Sequence, residues 1–78
     1  MTDVIKNLMA ACGNLQIAPS KPFATVQDFH AYILHRYPTF KVANKEQQLR
    51  WVVQAGRDAE EGRVPAAVQA IKNAVTLE

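Results

Sequence analysis

Between Asn44 and Gly62 the apolar residues return at the period of an α-helix, and no strand pattern fits them. At about 100° per residue, Trp51, Ala55, Ala59, Val52, Gly56, Leu49 and Val53 fall on one arc, with Gln48 among them. Glu46, Arg57, Arg50, Glu61, Gln54, Gln47 and Asp58 fall opposite. The apolar arc is roughly 200° wide, about twice the stripe of a helix that lies on one neighbour. This helix is therefore expected to be central, gripped by at least two others. Gly56 sits in the middle of the arc, which suggests another backbone passing close by.

The ends of this stretch carry their own signals. Asn44 suits an N-cap, with Gln47 three residues on as in a capping box. Glu46 precedes Arg50 by four residues, the favourable order for an ion pair. Gly62 is a natural stop, because it adopts a left-handed conformation without a Cβ penalty. Asp58, Glu60 and Glu61 crowd the C-terminal turn, where the helix dipole prefers cations. Either the helix frays there or Arg57 and Arg63 offset the charge.

A chain of 78 residues makes one domain, 1–78, with a small core and no room for a deep cleft. Its 49% hydrophobic content is that of a globular protein. One cysteine excludes an internal disulfide and fits a reducing, cytoplasmic setting. No apolar run approaches the roughly 18 residues that span a bilayer. The LMAAC stretch before Gly13 lacks the basic flank and apolar length of a signal peptide. Net charge is only +2, but it is uneven. Arg36, Lys41, Lys45, Arg50 and Arg57 face one acid, Glu46, in the middle of the chain, while the acids gather from Asp58 onward.

The remaining segments read as three more helices. Thr2 can cap the first, over about 2–12, with Val4, Ile5, Leu8, Ala11, Cys12 and Leu15 on one face and Gly13 as its stop. Pro19 and Pro22 break the chain into a connector that Leu15, Ile17 and Phe23 pin to the core. Thr25 to Asp28 resembles a capping box and opens a helix over 25–37, ended by Pro38. In the crossover that follows, Phe40 and Val42 alternate with Thr39 and Lys41, so Phe40 and Val42 are expected to point inward. The central helix takes 45–61. Pro65 opens a fourth helix over 65–76, in which Ala66, Ala70 and Ala74 form a ridge expected to face Ala55, Gly56 and Ala59. The short turn between the last two helices favours an antiparallel hairpin. The fold class is all-α: a bundle of four short helices with the third in the centre.

Chemistry is hard to find in this sequence. Cys12 lies at the wrong helix end for an activated thiolate and reads as a buried structural residue. His30 and His35 are five apart and share no face, so they do not form a zinc pair, and His30 reads as a hydrogen-bonded residue at the core edge. Asp58, Glu60 and Glu61 read as a solvated charge run rather than catalytic carboxylates. There is no phosphate loop and no nucleophile elbow. The expectation is a protein that is not an enzyme, with no cofactor, metal or catalytic residue.

Gln47, Arg50, Gln54 and Arg57 are spaced by three and four, which sets them on one helix face. Trp51 stands at the edge of the apolar arc beside them, and tryptophan with arginine is common at binding hot spots. These five residues are the candidate partner-binding site of a small intracellular interaction module, a regulator or inhibitor that acts by binding a protein partner or a second copy. The alternative is a nucleic-acid-binding regulator. Arginine and glutamine read base edges, and Arg36, Lys41 and Lys45 would contact phosphates. Glu46, Asp58 and Glu61 border the same face and weigh against that alternative.

Overall fold

The computed structural model describes residues 3–77 and contains four helices with no strand among the described residues. α1 spans Val4–Asn14, α2 Val26–Arg36, α3 Val42–Glu60 and α4 Val64–Val75. α3 touches the other three, and its contact with α4 is the most extensive.

α1 is capped by Asp3, whose carboxylate accepts from the Lys6 N–H at 3.1 Å. The expected cap, Thr2, lies outside the described residues. The helix runs through Gly13 instead of stopping there, and the left-handed residue of the turn is Gln16, at φ 60°. The C-terminal turn closes without the glycine because Leu15 and Ile17 both donate to the Cys12 carbonyl. Leu8, Ala11 and Cys12 are fully buried, while Lys6 and Ala10 stay outside.

The connector is pinned as its apolar residues require. Ile17 and Phe23 are buried, and the Phe23 ring lies 5.7 Å from Phe29 and 5.6 Å from Tyr32, centroid to centroid. The capping box of α2 is complete. Thr25 Oγ1 accepts from the Asp28 N–H, and Asp28 Oδ2 accepts from the N–H groups of Ala24 and Thr25. Phe29 and Ile33 carry α2 into the core.

α3 begins two residues before the expected cap. Lys41 is the N-cap without a side-chain bond, and Asn44 lies inside the helix, so the capping box with Gln47 does not form. The crossover is correspondingly shorter, and Phe40 and Val42 do not point inward as expected, while Lys41 is exposed. Thr39 is buried, whereas Phe40 is 87% exposed and Val42 72%. A polar tie holds the chain just before this segment. Gln48 Nε2 donates to the Tyr37 carbonyl at 2.6 Å and to the Ala74 carbonyl at 3.1 Å. The bond to Tyr37 ties the end of α2 to α3 just ahead of the crossover.

The other end of α3 closes as the sequence signals. Gly62 takes φ 79°, its N–H donates to the Ala59 carbonyl, and the Arg63 N–H donates to the Asp58 carbonyl at 2.7 Å. This is the paired arrangement in which a glycine satisfies the last carbonyls of a helix. α4 then returns antiparallel, with Pro65 in its first turn. Ala70 and Ala74 of the expected ridge are buried, but Ala67 and Ile71 complete the face while Ala66 is half-buried. Gly56 does not meet that ridge. A Cβ there would lie 3.3 Å from Val26 Cγ1 and 3.6 Å from His30 Nε2, so the notch at Gly56 receives α2.

Candidate partner-binding face of the third helix

α3 buries Gln48, Val52, Ala55, Gly56, Asp58 and Ala59. These form the centre of the predicted apolar arc plus one residue, Asp58, from the predicted polar arc. The flanks of the apolar arc are not core. Leu49 is 46% exposed, Val53 42% and Trp51 38%. The arc is wide because its middle meets the other helices while its two edges face out. α3 meets all three other helices, and α2 is seated at Gly56 through Val26 and His30.

The predicted strip stands on the surface. Gln47, Arg50, Gln54 and Arg57 are all exposed, and Trp51 joins Gln47, Arg50 and Gln54 around one shallow depression. Gln54 is partly committed, since its Nε2 donates to Asp58 Oδ1 at 3.1 Å. A second depression lies between Leu49 and Val53 on one side and Arg50 and Arg57 on the other. A third, of about 540 Å³, is walled by Leu34, Phe40, Lys45 and Leu49, with Thr39 and Gln48 also lining it. Shared residues join the three into a continuous surface along α3.

The acid run at the end of α3 is reorganised by Arg63. Its guanidinium pairs with Asp58 Oδ1 at 3.2 Å and with the Glu61 carboxylate. Asp58 is thus a buried structural acid, not a solvated one, and neither it nor Glu61 presents a free charge to the α3 face. The pairing of Glu46 with Arg50 does not form, and among the described residues Lys41, Lys45, Arg50 and Arg57 are in no ion pair. Arg36 stands apart from the strip, with its guanidinium carbon 5.5 Å from the centre of the Tyr37 ring. Lys45 lines the groove with Leu49, and Lys41 sits at the start of α3. The three residues suggested for phosphate contact therefore do not share one depression.

The remaining candidates are structural. Cys12 is buried, and burial pushes its thiol up to about 11. His30 is not hydrogen-bonded as expected. Its Nε2 is buried against the Gly56 notch without a partner among the described residues, and burial lowers its pKa. No group of three histidine, cysteine or acidic side chains that would hold a metal ion occurs among the described residues. No described helix is long and apolar enough to cross a membrane.

Phe40, Val42, Leu49 and Val53 are surface residues that the sequence pattern assigned to the interior, and Leu34 of α2 joins them. For Leu49 and Val53 the signal was the excess width of the apolar arc, which reads equally as two-sided packing or as packing plus an exposed apolar edge. No protein-family model matches this chain, and no curated protein or solved structure matches it either.

Proposed function

We propose that the protein is a small, non-enzymatic, cytoplasmic interaction module that acts by binding another protein through the outward side of α3. One observation carries this reading. The exposed large hydrophobic residues among those described are Val42, Leu49, Trp51 and Val53 on α3, Phe40 in the crossover before it, and Leu34 in the last turn of α2, which lines one depression with Phe40 and Leu49. Exposed apolar side chains gathered along one helix in this way mark interaction sites, and arginine beside tryptophan is the usual composition of their hot spots.

The test is site-specific photo-crosslinking from position 51 in cells that express the protein. Discrete adducts are expected, lost in Leu49→Glu and retained in Lys72→Glu, which lies on α4. Adducts unaffected by Leu49→Glu would remove the reading. The free charges of Lys41, Lys45, Arg50 and Arg57 favour nucleic acid as a second reading. Duplex DNA binding whose affinity falls steeply with salt would support it. An absence of binding at low salt removes it.

A further inference from the structure

The same face carries information about the chemistry of its partner, on the premise that α3 is a binding surface. Val42, Leu49 and Val53 are seven and four residues apart, which sets them on one line of the helix. From Val42 to Val53 that line runs about 16 Å at 1.5 Å per residue, the length of three helical turns. Leu34 and Phe40 widen it at one end into the groove of about 540 Å³. Thr39, at that groove, has a buried hydroxyl with no hydrogen-bond partner among the described residues.

The charge beside the line decides what can lie on it. Lys45, Arg50 and Arg57 flank it and are in no ion pair among the described residues, while the face's own exposed acids are Glu46 and Glu60. A second copy of the chain fits poorly. Paired antiparallel along this line, Arg50 and Arg57 would stand against the same residues of the other copy. Paired parallel, Lys45 would meet Arg50. Both orientations set like charges together, which is how interfaces reject a partner. Nucleic acid would match the cations but would leave Leu49, Val53, Phe40 and Leu34 exposed to phosphate.

The geometry points to an acidic amphipathic helix as the occupant of this face. Its apolar residues lie along Val42, Leu49 and Val53, one of them enters the groove beside Phe40, and its carboxylates meet Lys45, Arg50 and Arg57. This is the helix-in-groove mode of recognition, with charge setting specificity.

The experiment is selection of a helix-display library, randomised along one face, against the full protein, with the winners' affinities measured by calorimetry. The selected helices are expected to carry aliphatic residues at helical spacing and a net negative charge. Leu49→Glu should weaken them by about tenfold or more, since truncation or reversal at a hot spot has that effect. The double variant Arg50→Glu, Arg57→Glu should weaken them similarly and gain affinity for the same helix with its acids changed to lysine. Circular dichroism of each variant establishes that it is folded. Neutral or basic winners that still depend on Leu49 would overturn the acidic partner while leaving the face in place. The proposal equally fails if nothing is enriched above background, if binding ignores Leu49→Glu, or if the free protein sediments as a dimer that Val53→Glu dissociates. Tighter binding to duplex DNA than to any selected helix would overturn the acidic helix and the protein-binding reading together.

Discussion

The side-chain amide of Gln48 donates to the main-chain carbonyl of Tyr37 across 2.6 Å, and it closes the bundle from inside. Tyr37 ends α2, and the second acceptor, Ala74, lies in the last turn of α4. Both carbonyls belong to helix ends, where intrahelical donors run out. One buried side chain of α3 thus satisfies the C-terminal ends of two other helices.

Replacing that amide should be costly in a way that depends on charge. Gln48→Leu keeps the volume but leaves two carbonyls unpaired, at about 1–3 kcal/mol for a buried unsatisfied group. Gln48→Glu should be worse at neutral pH, because a buried carboxylate would face two carbonyl oxygens. It must take up a proton to fold, so its stability should rise on acidification toward that of the leucine variant. Urea melts of both variants at neutral and mildly acidic pH check this. Equal stabilities at both pH values would mean that Gln48 is not enclosed.

The two helical glycines should respond in opposite directions. Gly13 has nothing within 4 Å of where a Cβ would stand, so Gly13→Ala should stabilise α1 by about 0.5–1 kcal/mol through helix propensity alone. At Gly56 the same methyl would stand 3.3 Å from Val26 Cγ1, tight enough to offset the propensity gain. Gly56→Leu should cost about 1–3 kcal/mol by overpacking. Thermal melts decide, and a stabilised Gly56→Leu would contradict the packing of α2 into this notch.

The number of helices and their order were legible because local chemistry marks their ends: the Thr25–Asp28 box, Pro38, Gly62 and Pro65. What could not be read was side choice. Phe40 and Thr39 alternate, and periodicity alone does not say which of them faces inward. The bond that fixes the end of α2 just before them, from Gln48 to Tyr37, joins residues eleven apart and leaves no trace in either segment. The same holds for Asp58, whose helical angle put it on the polar face. It is buried because Arg63, beyond the turn, folds back to pair with it. Helical angle did place Gln47, Arg50, Gln54 and Arg57 on the surface, since a charged strip needs no partner to stay there.

His30 should give the protein an acid-sensitive limb. Burial lowers its pKa below the usual 6.5, so the unfolded chain binds the proton more readily than the folded one. The stability tied to neutral His30 is therefore complete above about pH 6.5 and is lost as pH falls through the folded value. His30→Phe should flatten the decline in urea midpoint between neutral and mildly acidic pH, while His35→Gln, at an exposed position, serves as control. An unchanged slope in His30→Phe would locate the proton elsewhere. The thiol offers a parallel check. With Cys12 pushed up to about 11, it should react with a disulfide reagent at pH 8 only as fast as the fold opens.

Asp58 links the turn to the helix. Its carboxylate accepts from Gln54 Nε2 and Arg63 and is itself buried, while Arg63 is 59% exposed. Solvent screens such a half-exposed pair, so Asp58→Ala should cost about 1–2 kcal/mol, with the lost hydrogen bonds dominating. Arg63→Ala should cost less, because Gln54 still reaches the acid. If Arg63→Ala were the more damaging substitution by chemical denaturation, the ion pair rather than the hydrogen bonds would hold the turn.

Trp51 reports on the face directly. At 38% exposure, and beside Gln47, Arg50 and Gln54, its indole should be quenched by iodide in the free protein well beyond a core tryptophan. Arg50, which lines the same depression, and Arg57 farther along the strip should raise the local iodide concentration, so quenching should weaken as inert salt screens them. An uncharged quencher should show no such salt dependence. Arg50→Glu with Arg57→Glu should then lower the iodide constant while leaving the acrylamide constant unchanged. Equal sensitivity of both quenchers to charge reversal would mean that the variant had altered the packing of Trp51 rather than the field around it.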